Sequence, residues 1–222
     1  MKTKRIKSAF TMIELVFVIV VLGILASLAM GRMERDLKQE ASETILSHIR
    51  LAQQLALNDN KHRSDNNARW QNAYWKVEFR QCLNSDWSYR VGSDSGLSGG
   101  TNSLAQTEAA INPVDGKYLW TTDCQNLENN ESASVQLTKK FAIQNIAGSN
   151  GCNQNVSFDY LGRPHRSTDY GNIPDFRNIL TQDCNFTFTM STDQDNDGNP
   201  DSFVITIEKE TGHAFIVGQE AL

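Results

Sequence analysis

Ser8-Ala9-Phe10-Thr11-Met12-Ile13-Glu14, running on into the apolar residues 15–30, decides how the rest of this chain is read. Ahead of it Lys2, Lys4, Arg5 and Lys7 make a short basic head. Behind it come about twenty apolar residues, enough to cross a bilayer as one helix. At about 1.5 Å per residue, residues 10–30 make a helix of roughly 31 Å, the thickness of the hydrocarbon core. Lys and Arg before such a span predict a cytoplasmic N-terminus, with the remaining chain across the membrane. Glu14 lies four residues past Phe10, inside the apolar run. A carboxylate in that setting is costly and marks a function.

The stretch resembles the class III signal of type IV pilins and of the pseudopilins of type II secretion. In those families the leader ends in Gly or Ala, the first mature residue is usually Phe, and a Glu follows four residues later. Ala9, Phe10 and Glu14 match each point, with Ala9 standing where Gly is commoner. The resemblance implies cleavage between Ala9 and Phe10 by a prepilin peptidase and methylation of the new amine of Phe10. It also implies a role for Glu14 in assembly, meeting the amine of a neighbouring subunit as the helices stagger. A contact within one chain, four residues apart, is the rival geometry. An ordinary secretory signal cut near residues 27–29, or a plain signal anchor, has no use for Glu14.

The chain has 222 residues, room for one membrane helix and one modest exported domain. Removing the four basic residues of the leader from the 21 leaves 17 against 26 acidic ones, a charge of −9. An acidic domain is a poor non-specific binder of nucleic acid, so nucleic acid is not an expected partner. Cys82, Cys124, Cys152 and Cys184 all fall in the exported part. An even number of cysteines in an oxidising compartment predicts two disulfides, and their spacing fits no zinc pattern. Of three pairings, Cys82–Cys124 and Cys152–Cys184 is preferred, because each bridge joins nearby segments. Loops of about 30–40 residues closed this way contribute roughly 3–4 kcal/mol.

Past Met30 the helical pattern continues, with Gly31 its weak point. Leu37, Ala41, Ile45, Ile49, Ala52 and Ala56 recur at spacings of three and four between charged residues, the signature of an amphipathic helix. Asn58-Asp59-Asn60 ends it. From residue 73 the period changes to two. Residues 74–80 alternate as a half-buried strand should, and residues 87–91 make a second candidate. Residues 92–116, rich in Gly, Ser and Asn, read as a long surface loop with a helical turn near 105–110. Asp115-Gly116 turns the chain into residues 117–120. Further strands are expected at 135–137, 141–143, 156–160, 186–190, 203–207 and 214–217. A long helix followed by strands is an α+β arrangement. The expected division is a leader at 1–9, a transmembrane half-helix at 10–31, an amphipathic half-helix at 32–58 and a β-rich periplasmic domain at 59–222.

Two further fragments are similar to the minor pseudopilins of the GspH/FimT type. Residues 156–164, Val-Ser-Phe-Asp-Tyr-Leu-Gly-Arg-Pro, resemble that group's strand-turn FDxxGRP. Gly162 supplies the positive φ of the turn and Pro164 starts the next extended segment. Residues 207–214 resemble the group's closing β-hairpin, turning at Thr211-Gly212. Some members are thought to bind DNA through basic residues near that hairpin, but here Glu208-Lys209-Glu210-Thr211-Gly212-His213 has no Arg.

One loop carries candidate metal chemistry. Asp193, Asp195 and Asp197 alternate before Gly198, with Asn199 and Asp201 following. Calcium takes six to eight oxygen ligands, and D-x-D-x-D-G wraps carboxylates around one centre. The bidentate Glu of an EF-hand is absent, since Val204 holds its place, so the loop resembles the shorter calcium loops of extracellular repeats. The plain alternative is a solvated acidic turn. His48, His62, His165 and His213 are scattered and read as surface residues, and no catalytic constellation is apparent. The reading is a minor pseudopilin or pilin-like subunit, not an enzyme. Its partners would be other pilins or pseudopilins, the prepilin peptidase, an inner-membrane assembly platform and membrane lipid. The alternative is a filament-tip module that binds an exoprotein or DNA through the 92–116 loop or the acidic loop.

Overall fold

The computed structural model describes residues 11–62, 69–99, 104–166, 173–193 and 197–219, with residues 27–36 described by their backbone alone. Helix α1, Met12–Asn58, is unbroken over 47 residues, about 70 Å at the usual rise. Its second half shows the expected stripe: Ala41, Ile45, Ile49, Ala52 and Ala56 are all buried. The helix stops at Asp59, whose carboxylate accepts a hydrogen bond from Trp75 Nε1 at 3.0 Å. That bond ties the end of α1 to the start of the first strand.

In chain order the remaining elements are β1 Trp75–Gln81, β2 Trp87–Ser93, α2 Leu137–Phe141, β3 Ile143–Ser149 and β4 Asn155–Phe158. They continue with β5 Pro164–His165, β6 Cys184–Met190, β7 Ser202–Ile207 and β8 Ala214–Ile216. Among the described residues these make two four-stranded sheets, ordered β2-β1-β4-β5 and β3-β6-β7-β8. Every strand pair is antiparallel. This is the α+β, pilin-like arrangement expected. The strands around residues 186–190 and 203–207 are neighbours, with Phe188 opposite Phe203. Residues 207 and 214 close the last hairpin.

One core serves both sheets. Phe79 of β1 lies 5.1 Å from Phe186 and 5.4 Å from Phe188 of β6, ring centre to ring centre. The buried stripe of α1 joins the same cluster. Two disulfides form, Cys82–Cys124 and Cys152–Cys184, the preferred pairing, and Cys152 and Cys184 are themselves buried in that core. The second bridge ties the β3–β4 connection to the start of β6.

Several expected elements differ. Residues 135–137 and 141–143 are not two strands. They form a single turn at Ala133–Val135 followed by α2, and only from Ile143 does a strand begin. Leu137 and Phe141, one helical turn apart, are both fully buried; a helical turn stacks them one above the other on one face, where a strand would spread them about 13 Å apart. Ala142 ends the turn in the left-handed region at φ 56°. Residues 117–120 contribute only isolated bridges at Tyr118. The described residues of the 92–116 stretch are not all a free loop: Ala110 N donates to Val91 O of β2, whose own N–H donates to Leu119 O.

That last difference changes β1 and β2. The alternating residues Lys76, Glu78 and Arg90 belong to the polar face, yet they are 0, 1 and 5 % exposed. The residues between β2 and α2 fold over them. Arg80 Nη1 and Arg90 Nε both donate to Thr121 O, and the Arg90 guanidinium lies 4.7 Å from the centre of the Trp120 ring. Lys76 Nζ sits 3.5 Å from Glu78 Oε1. Burial pushes the Glu78 carboxyl up and draws Arg90 down to about 10. Alternation in sequence distinguishes two faces of a strand, but it does not say that the polar face meets water.

Candidate functional site

The N-terminal half of α1 starts from a capping box. Thr11 N and Oγ1 each donate to Glu14 Oε2 at 2.9 Å, and Glu14 N donates back to Thr11 Oγ1 at 3.3 Å. A carboxylate at this position satisfies an amide that helix geometry leaves unpaired. Glu14 Oε1 takes no protein hydrogen bond among the described residues. From residue 12 to residue 26 every side chain is exposed, including Met12 at 86 % and Phe17 at 70 %. The folded domain covers none of this apolar surface. Among the described residues no helix is long and apolar enough to cross a membrane. Residues 12–26 fall short of the roughly 20 residues a span needs, and the side chains of 27–36 are not described. Ala9 and Phe10, the expected cleavage and methylation sites, lie outside the described residues.

The FDxxGRP segment is a carboxylate-centred turn between β4 and β5. Asp159, 1 % exposed, accepts from the backbone N–H of Leu161 and of Arg163, both 3.0 Å. Arg163 adds Nε at 2.8 Å and Nη2 at 2.7 Å, and His165 Nε2 lies 3.2 Å away. Burial alone raises the carboxyl's pKa. The hydrogen bonds from His165 and Arg163 outweigh it and hold Asp159 below the usual carboxylate range. Gly162 takes φ 79° at the turn.

Gln53 of α1, which sequence reasoning missed, clasps this turn to the last hairpin. Its Nε2 donates to Gly162 O at 3.0 Å and to Thr211 O at 2.7 Å. The two turns are so close that a Cβ on Gly212 would meet Gly162 O at 2.2 Å. One helical amide thus joins the two sheets. No local pattern marks a Gln for this role, because both acceptors are more than 100 residues away.

Two of the four histidines are not surface residues. His165 is fully buried beside Asp159, and His48 is 3 % exposed on the packed side of α1. His48 Nδ1 lies 2.5 Å from the Tyr89 hydroxyl. Burial draws its pKa down to about 4, partly opposed by Asn112 and Asp115. A His one turn from Ile45 and Ala52 follows the stripe's period, a signal outweighed in the sequence by the residue's polarity.

The acidic loop joins β6 to β7. Asp193 Oδ2 accepts from Gly198 N, Asp197 Oδ1 from Asn199 N, and Asp201 Oδ2 from Thr192 Oγ1. Asp195 lies outside the described residues. Among the described residues no group of three or more acidic, His or Cys side chains is arranged to hold a metal ion. The loop's own amides already occupy part of the carboxylate surface that calcium would need.

Residues 4–30 match the family model described as the prokaryotic N-terminal methylation motif. Neither the curated proteins nor the solved structures contain a match to the chain. The motif covers Lys4, Arg5 and Lys7 of the basic head, the Phe10–Glu14 pair and the exposed apolar residues 12–26. Such a signal implies processing by a prepilin peptidase and assembly with other pilins. On this signal and on its α+β fold, the chain is consistent with a type IV pilin-like protein.

Proposed function

We propose that this chain is a minor pseudopilin or pilin-like structural subunit of a periplasm-spanning filament, serving type II secretion or type IV pilus biogenesis. It enters the inner membrane as a single-pass protein with its N-terminus cytoplasmic. It is cut between Ala9 and Phe10, methylated at Phe10, and passed by the assembly platform into a bundle of α1 helices. The observation that carries this reading is the coincidence of the methylation motif with a helix half whose apolar side chains the folded domain leaves bare. Uncovered apolar surface of that length needs lipid or other helices around it. Glu14 Oε1 is the atom proposed to receive the amine of a neighbouring Phe10, an ion pair that offsets the cost of a carboxylate among apolar side chains. The tip-binding alternative loses support, because Ala109 and Ala110 of the 92–116 segment are tied to Gly92 and Val91 of β2. The acidic loop is proposed to take one calcium ion through Asp193, Asp195, Asp197, Asn199 and Asp201.

N-terminal mass spectrometry of membrane-extracted protein tests the core of the reading. A methylated Phe10 start is expected, and a start at Met30 overturns it. Glu14→Ala should leave a membrane-inserted monomer that no longer enters filaments. Normal incorporation of that variant removes Glu14 from the assembly contact.

A further inference from the structure

The covered face of β1 brings an amine, a carboxyl and a carboxamide together away from water. Lys76 and Glu78 lie two residues apart on β1 and so share a face. Asn155 of β4 stands directly opposite Glu78 in the ladder, and Ser157 stands opposite Lys76. Cross-strand partners point to the same side of a sheet, so the Asn155 amide belongs to that face too. Lys76, Glu78 and Asn155 are all buried. A diagonal such as 76–155 spans about 7–8 Å, within reach of a long side chain. Lys76 Nζ lies 3.5 Å from Glu78 Oε1, so the lysine tip and the carboxyl that faces Asn155 lean towards each other.

As an ion pair this arrangement is costly. Neither Glu78 oxygen accepts a hydrogen bond among the described residues, and a buried pair is favourable only when hydrogen bonds fill its remaining lone pairs. A proton passed from Nζ to the carboxylate leaves a neutral amine beside a neutral acid, the forms that burial favours. The raised pKa of Glu78 agrees with that state. Asp94 is a second acyl group that feels the Lys76 charge, but Ser98 N, Ser98 Oγ and Gly99 N hold its two oxygens.

We propose that Lys76 and Asn155 join in an intramolecular isopeptide bond, with Glu78 carrying the protons. The Nζ lone pair attacks Cγ of Asn155 while the Glu78 acid protonates Oδ1. The carboxylate so formed takes a proton from Nζ and delivers it to Nδ2. The Cγ–Nδ2 bond then breaks, and the carbonyl reforms as its proton returns to Glu78. An amine and a carboxamide become one substituted amide and one ammonia, with Glu78 restored and no oxidant or reductant consumed. The new amide N–H supplies the donor that Glu78 lacks. The bond fastens β4, only four residues long, to β1 at the centre of its sheet, however the chain assembles.

Peptide mapping of the full-length chain, reduced and denatured, tests this. Lys-specific digestion should leave the chain uncut after Lys76. It should yield one branched peptide joining the segments that hold residues 76 and 155, lighter than the two together by one ammonia. Glu78→Gln keeps the side chain's shape and both reacting groups, and it should abolish the branched peptide and restore cleavage after Lys76. Lys76→Arg should abolish the branch as well. Should either variant fail to fold, the wild-type map decides alone. Cleavage after Lys76 in the wild type, with the residue-155 peptide unlinked, overturns the proposal and leaves a buried ion pair. A branch from Lys76 to Asp94, lighter by one water, overturns it too, and a branch undiminished in Glu78→Gln removes Glu78 from the chemistry.

Discussion

The two halves of α1 share one backbone and meet opposite physics. Residues 12–26 are exposed on every side, whereas Ala41, Ile45, Ile49, Ala52 and Ala56 are at most 1 % exposed. The first half is apolar all round, which no single sheet can cover. The second is apolar on one stripe, which two sheets cover completely. The stability of the domain is therefore coupled to the second half alone. The first half is left uncovered by the domain, and under the proposed function membrane or filament surrounds it.

The strongest test of that division sets a buried residue against an exposed one. Ile49→Ala should lower the stability of the domain by about 2–5 kcal/mol, while Phe17→Ala, at a site 70 % exposed, should leave the melt unchanged. Thermal unfolding of detergent-extracted protein reads both. Equal shifts at the two sites break the comparison.

A pH series sharpens it, because the packed half also buries a titratable ring. His48 carries a folded pKa of about 4 against 6.5 for the free side chain. Burial disfavours the charged form, so the unfolded chain binds the proton first as pH falls. The stability is present above pH 6.5 and lost on descent through about 4, amounting to about 3 kcal/mol over the window. Denaturant midpoints between pH 7 and pH 4 should fall less steeply for His48→Gln than for the wild type. Parallel curves remove His48 as the cause. Asp159, whose pKa is also lowered, adds to the acid loss at lower pH.

A smaller effect isolates the Gln53 clasp. Gly212 and Gly198 take φ 68° and 86°, so alanine strains either backbone by about 1–2 kcal/mol. Only at Gly212 does the new Cβ strike a backbone oxygen, whereas nothing lies within 4 Å of Gly198. Gly212→Ala should therefore be the more destabilising in chemical denaturation. Equal costs mean the two turns can separate without loss. Smallest of all is the response to calcium. A free concentration about four times Kd adds roughly 1 kcal/mol, and Asp195→Ala should abolish that increment. A melt unmoved by chelator leaves residues 193–201 as a solvated turn.

The sequence by itself determined what is local or periodic. The Ala9-Phe10-Glu14 motif, the 3–4 stripe from Leu37 to Ala56 and the end of α1 near Asn58 depend only on neighbours within one or two turns. So does the Asp159 turn, whose donors Leu161, Arg163 and His165 lie within six residues. Residues 135–143 misled because Leu137 and Phe141 serve a helical turn or a pair of strands equally well until something packs on them. Only the tertiary structure decided which polar groups are buried. Lys76, Glu78 and Arg90 left water because the residues after β2 fold back over them. His48 found Tyr89, 41 residues away, and Gln53 found Gly162 and Thr211. Each of those outcomes rests on a partner brought in from far along the chain, and a partner's position is a property of packing, not of spacing.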